Sequence, residues 1–198
     1  YNLDGESYAN SFQTEVNYYV DDFTSLRLAY KFYDIETDYF SGKLSKPLTP
    51  NHRLFANISY ETKKINDIKQ WKFDLTYNFI GEQRLPDTST NTVEYQLEEY
   101  SNSYSLLNTQ ITKVFTEKFE IYFGVENLTD LKQKNPILAS DDPFGDSFDS
   151  TIIYAPILGE CYTVDYDLKL INNEKNYSYY LLVVDRIFCI SSKEKKEL

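Results

Sequence analysis

Residues 71–79 read Trp-Lys-Phe-Asp-Leu-Thr-Tyr-Asn-Phe. In an extended chain Trp71, Phe73, Leu75, Tyr77 and Phe79 point to one side, and Lys72, Asp74, Thr76 and Asn78 to the other. Side chains alternate across a strand with a period of two, so this stretch predicts a β-strand with one greasy and one wet face.

The same alternation recurs on both sides of it. Phe12, Thr14, Val16, Tyr18 and Val20 oppose Ser11, Gln13, Glu15 and Asn17; Leu26, Leu28, Tyr30 and Phe32 oppose Ser25, Arg27 and Lys31. Leu54, Ala56, Ile58 and Tyr60 oppose Arg53, Asn57, Ser59 and Glu61, with Phe55 out of pattern. Residues 103–115 repeat it more weakly through Leu107, Ile111 and Phe115. Phe119, Ile121, Phe123 and Val125 carry a sixth stripe, and Tyr162, Val164, Tyr166, Leu168 and Leu170 a seventh. The expectation is an all-β chain of about seven antiparallel strands.

The connections alternate in length. Residues 21–23, 63–68 and 116–117 are short turns, while 35–50, 82–102 and 128–158 exceed the roughly 12–15 residues usual for an unstructured loop in a compact domain. Short turns on one rim and long loops on the other are the pattern of an up-and-down transmembrane β-barrel, with the short turns periplasmic. Counting back from a last strand that ends in the periplasm, the chain starts on the outer side with an odd number of strands. That reading, with the lack of any Met, makes residues 1–170 an incomplete barrel wall lacking its N-terminal strands. Residues 171–198, polar at 172–175, mostly apolar through 177–190 and charged at 193–198, form an atypical tail that could be an added strand, a short helix or a non-native read-through.

Composition excludes several function classes. Mean hydropathy is −0.52, and no run approaches the ~20 apolar residues of a membrane helix, whereas a barrel strand needs only ~9–11. Tyr (19) and Phe (13) dominate the aromatics and suit pleated surfaces with one wet edge. A net charge of −11 opposes nucleic-acid binding, which needs cations against phosphate. Cys161 falls inside a strand pattern and Cys189 in the unlike tail, so a bond between them is not expected; with one histidine, His52, they make no zinc cluster.

The stretch 119–159, FEIYFGVENLTDLKQKNPILASDDPFGDSFDSTIIYAPILG, resembles the last strand pair and final outer loop of TonB-dependent outer-membrane receptors. SFQTEVNYY (11–19), LRLAYKFYDI (26–35), PLTPNHRLFANISYET (47–62) and WKFDLTYNFIGEQRLPDT (71–88) agree in order and spacing. The resemblance implies the C-terminal part of a 22-stranded barrel in a Gram-negative outer membrane. Such a barrel is occluded by an N-terminal plug and imports a scarce nutrient: a siderophore, haem, cobalamin or a glycan. Its partners would be outer-membrane lipid, the N-terminal barrel and plug, TonB acting through that region, and a small nutrient ligand. The family usually ends its last strand on an aromatic residue; here the strand reads YTVDYDLKL and closes at Leu170.

No catalytic, cofactor or metal residue is expected. Asp141, Asp142, Asp146 and Asp149 near Gly145 cluster oxygens that a hard cation would use, but their spacing is not that of an EF-hand, and a solvated acidic loop accounts for them. His52 should sit at the outer rim in a hydrogen bond. Ligand contacts should come from 82–102 and 136–151. Two other readings stay open: a soluble lipocalin-like binding barrel with its apolar faces inward and the tail as an eighth strand, and a non-functional truncated remnant.

Overall fold

The computed structural model describes residues 7–39, 42–171, 178–180 and 186–189. The strands are β1 (Tyr8–Tyr19), β2 (Thr24–Tyr39), β3 (Gly42–Ser45), β4 (His52–Glu61), β5 (Gln70–Ile80), β6 (Tyr104–Thr116), β7 (Phe119–Glu126), β8 (Cys161–Ile171), β9 (Ser178–Tyr180) and β10 (Arg186–Cys189). A single 3-10 turn, Val93–Tyr95, is the sole helical element among the described residues. The protein is therefore all-β.

Every pairing is antiparallel, and the sheet follows the path β1-β2-β4-β5-β6-β7-β8-β10, with β3 beside β2 and β9 beside β8. The seven strands expected from alternation are all present. The sheet is not closed: β1 pairs with β2 alone among the described residues.

One expectation needs correction. The connection placed at 35–50 is largely strand, because β2 runs on to Tyr39 and folds back through β3. The tail, to which the sequence assigned no single structure, adds strand at 178–180 and 186–189, both paired to β8.

Register carries the apolar stripes from strand to strand, interrupted on β6 where Lys113, Thr109 and Ser105 face Trp71, Leu75 and Phe79. Phe12 faces Phe32, Leu26 faces Ile58, Ile58 faces Leu75, Phe73 faces Ile111, Ile111 faces Phe123, and Phe123 faces Val164. A slip of one residue would invert a strand's faces, so this match across seven strands fixes the register. A bulge between Val114 and Thr116 ends the β6–β7 ladder at the turn.

The short turns are built by local chemistry. Asp21 accepts hydrogen bonds from the amides of Phe23 (2.8 Å) and Thr24 (2.7 Å), and the Phe23 bond in particular holds its carboxyl below the usual range. Asn66 and Asp67 turn the β4–β5 hairpin with φ of 53° and 60°, the left-handed conformation that asparagine and aspartate tolerate.

Neither face of the sheet holds the core. Leu85, Leu138 and Ile152 make a small cluster among the long connections, packed against Leu48, Tyr95, Leu97 and Tyr154.

Candidate functional site: the polar wall and its loop roof

The two faces differ in what they do with their polar atoms. On the apolar face the large side chains of mid-sheet strands, Ile58, Phe73, Leu75 and Phe123 among them, are open rather than packed. The few polar groups there are paired on the sheet itself. Thr109 donates its hydroxyl to the Asp74 carbonyl (3.0 Å), the Tyr77 hydroxyl pairs with Ser105 (2.8 Å), and the Tyr30 hydroxyl pairs with Nδ1 of His52 (2.8 Å). The Lys113 ammonium lies 4.4 Å from the centre of the Trp71 ring, at the turn end of the stripe. Such a face presents carbon outward and satisfies its hydroxyls inward.

The apolar stripe has limited height. From Trp71 to Phe79 a strand advances about 27 Å, or about 20 Å once tilted by the ~35–45° usual in barrels, close to the ~25 Å apolar band of an outer-membrane barrel. Above Phe32 the same face of β2 changes to Asp34, Glu36 and Asp38, so the β2–β3 hairpin stands clear of the apolar stripe.

The opposite face is a cross-linked polar wall. Asn57 donates to Thr76 Oγ1 (3.0 Å), Ser59 hydrogen-bonds Asp74, and Gln110 bonds Thr112 (3.2 Å). The Lys72 ammonium reaches Glu120 across β6 at 3.8 Å, and Arg27 pairs with Glu15 at 2.9 Å. Asp165, 1% exposed, accepts from the Tyr122 hydroxyl at 2.5 Å. Phe55, the residue out of pattern, lies on this face beneath the Arg27 guanidinium, 5.9 Å from its ring.

Hollows open along this face and make it a groove. A hollow of about 610 Å³ is lined by Asn57, Asp74, Thr76, Gln110, Tyr122 and Glu126, among others. A second, of about 280 Å³, lies at the turn end between Lys72, Glu120 and Asp167.

The long connections fold over the upper end of the groove. Tyr104, on the polar face of β6, donates its hydroxyl to the Tyr154 carbonyl (2.9 Å), and Gln83 donates to the same oxygen (3.1 Å). Gln133 organises the 152–156 segment: its Nε2 donates to the Ile152 carbonyl (2.8 Å), its Oε1 accepts from the Tyr154 (2.9 Å) and Ala155 (3.2 Å) amides, and its own amide reaches the Pro156 carbonyl (2.7 Å). Asn127 ties the base of the same connection to the wall by donating its amide to Asn108 Oδ1 (2.9 Å). The regions expected to contact ligand, 82–102 and 136–151, are thus ordered and packed on each other through the Leu85–Leu138–Ile152 cluster.

The acidic loop does not gather its carboxylates. Asp141 accepts from the Tyr95 hydroxyl (2.7 Å), Asp149 accepts from the amide and hydroxyl of Thr151 (both 2.7 Å), and the Asp142 carboxylate lies where a side chain at residue 145 would collide with it, which favours Gly145. No group of three or more His, Cys, Asp or Glu converges on a metal position among the described residues. The Tyr95 hydroxyl is pushed up to about 12, first by its bond to Asp141 and then by burial. His52 opens β4 at the loop rim, its ring 5.2 Å from that of Phe32.

Cys161 is disulfide-bonded, which corrects the expectation that it would not pair. The signal missed was register: it is the antiparallel pairing of β8 with the tail that aligns residue 161 with 189, and neither stretch of sequence announces the other.

Comparison with known proteins returns no matching family model, no matching curated protein and no matching solved structure.

Proposed function

We propose that this chain forms part of the wall of an outer-membrane transport receptor, of the TonB-dependent type that its sequence resembles, contributing C-terminal barrel strands and the outer loops above them. The observation that carries the reading is the contrast between the faces: the apolar face is open, with its hydroxyls turned onto the sheet, while the charged face is hollowed and bonded to the long connections at its upper end. A barrel wall in lipid needs acyl chains against the first face and enclosed water against the second.

On this reading the long loops and the upper groove meet a small nutrient entering from outside. The groove offers amide, hydroxyl and carboxylate groups from Asn57, Asp74, Thr76 and Gln110. No helix among the described residues is long and apolar enough to cross a membrane. Coupling to TonB would run through parts of the receptor other than these 198 residues.

A lipocalin-like soluble barrel would bury the apolar stripes that here lie open, so no observation favours it. Size-exclusion chromatography of the refolded chain tests the choice. The account expects aggregation in plain buffer and a monodisperse, β-rich species in detergent micelles. A stable monomer in plain buffer would overturn it.

A further inference from the structure

One corner of the polar face breaks the pattern of the rest. At the loop end of β2, β4, β5 and β6, register sets Ala29, Phe55, Asn78 and Leu106 in one row, and Lys31, Arg53 and Ile80 in the next. Phe55, Ile80 and Leu106 are half-buried carbon in a wall otherwise built from amides, hydroxyls and carboxylates. A hollow of about 320 Å³ opens over them, with Gln13, Lys31, Arg53 and Asn78 on its sides.

Lys31 and Arg53 stand directly opposite one another, which sets their Cβ atoms about 4.5–5.5 Å apart. Like charges so placed repel and destabilise a sheet. The ion pairs among the described residues are Arg27–Glu15, Lys72–Glu120 and Lys132–Asp130, so no carboxylate there offsets these two cations. Glu15, on the neighbouring β1, is taken by Arg27 at 2.9 Å. The Lys31 ammonium lies 4.7 Å from the centre of the Tyr33 ring, a contact that brings no net negative charge. In a chain with 31 acidic and 20 basic side chains, two cations left together beside an apolar floor call for an anion from outside.

We propose that this corner binds a small amphipathic acid, one aromatic ring or short apolar chain carrying a single carboxylate. The Arg53 guanidinium can hold both carboxylate oxygens through parallel N–H groups, and the Lys31 ammonium supplies a second charge. The ring or chain then lies against Phe55, Ile80 and Leu106. An apolar cavity of roughly 150 Å³ admits benzene, so the hollow has room for one ring with its acid group. The site does not depend on the lipid-facing reading. The polar face offers it to water in a receptor wall and in a soluble binder alike, so the two proposals fail separately.

The test uses the full chain in maltoside micelles, with para-fluorobenzoate as the probe and para-fluorobenzamide as its uncharged counterpart, each titrated by fluorine NMR. The benzoate is expected to bind saturably and at least tenfold more tightly than the benzamide. Lys31→Gln and Arg53→Gln should each weaken it at least fivefold, and Phe55→Ala should weaken it as well. A second readout separates a binding pair from a structural one. Without probe, either glutamine variant should unfold at the same or a higher urea concentration than the unsubstituted chain, because the repulsion is relieved. The benzoate should raise the urea midpoint of the unsubstituted chain above that in sodium chloride at equal concentration. Equal affinity for the two probes, no saturable binding, or a urea midpoint lowered by both glutamine variants would overturn the site.

Discussion

Phe73 on β5 and Ile111 on β6 stand directly opposite one another, and both are open to the surroundings at 38% and 37% exposure. Cross-strand apolar pairs in a water-soluble protein bury such faces against a second layer. Here the next pair in register on the other face is Lys72 with Thr112, and it is that side which carries the hydrogen-bonded wall and the groove. The proposal reads the open apolar side as the one that meets lipid, and the predictions follow from that proposal.

Leu75 lies in the middle of the β5 stripe, between Phe73 and Tyr77. Replacing it with arginine should cost about 2–4 kcal/mol of stability in lipid vesicles, the range for a cation at the bilayer midplane. Thr76→Arg, one residue along but on the polar wall, should cost far less. Urea titrations of both variants, followed by Trp71 fluorescence, check the contrast; equal effects would contradict it.

Gln133 is nearly buried and uses both ends of its amide on the 152–156 segment. Gln133→Ala leaves the Tyr154 and Ala155 amides without their acceptor, a loss of about 1–3 kcal/mol confined to the roof. Hydrogen exchange at those two amides should accelerate at least tenfold while the β4–β6 ladder stays protected. Uniform acceleration would mean that Gln133 supports the whole sheet instead.

Tyr95 and Asp141 couple two loops to pH. The folded hydroxyl is raised to about 12 from an unfolded value near 10. Its contribution is therefore complete below about pH 10 and disappears as pH climbs through 12. Asp141→Asn should bring the Tyr95 ionisation back toward 10. The difference in tyrosinate absorbance between each protein and its Tyr95→Phe counterpart isolates this one hydroxyl, and an unshifted titration would rule the contact out.

The strands and their facing were legible because alternation is a local property: Trp71 to Phe79 declares its two faces without reference to any other strand. Two of the three long connections, 82–102 and 128–158, were legible from their lack of alternation. The β2–β3 hairpin was not visible, since Asp34, Glu36 and Asp38 replace the apolar stripe that marks the rest of β2. The tail strands were hidden by a mostly apolar run through 177–190, which has no period to read. The roof was the least accessible part. Leu85 meets Leu138 and Ile152 only because two connections converge, and nothing about Gln133 in its own neighbourhood marks it as the residue that organises the 152–156 segment.

Adjacent residues on opposite faces test the central claim most directly. Single-site fluorescent labels at Leu75 and at Thr76, in the chain reconstituted into vesicles, can be challenged with bromine on the lipid acyl chains and with iodide in the water. The account predicts that acyl bromine quenches the label at 75 while that at 76 responds to iodide alone. Quenching of both by iodide, or of the label at 76 by acyl bromine, would contradict it.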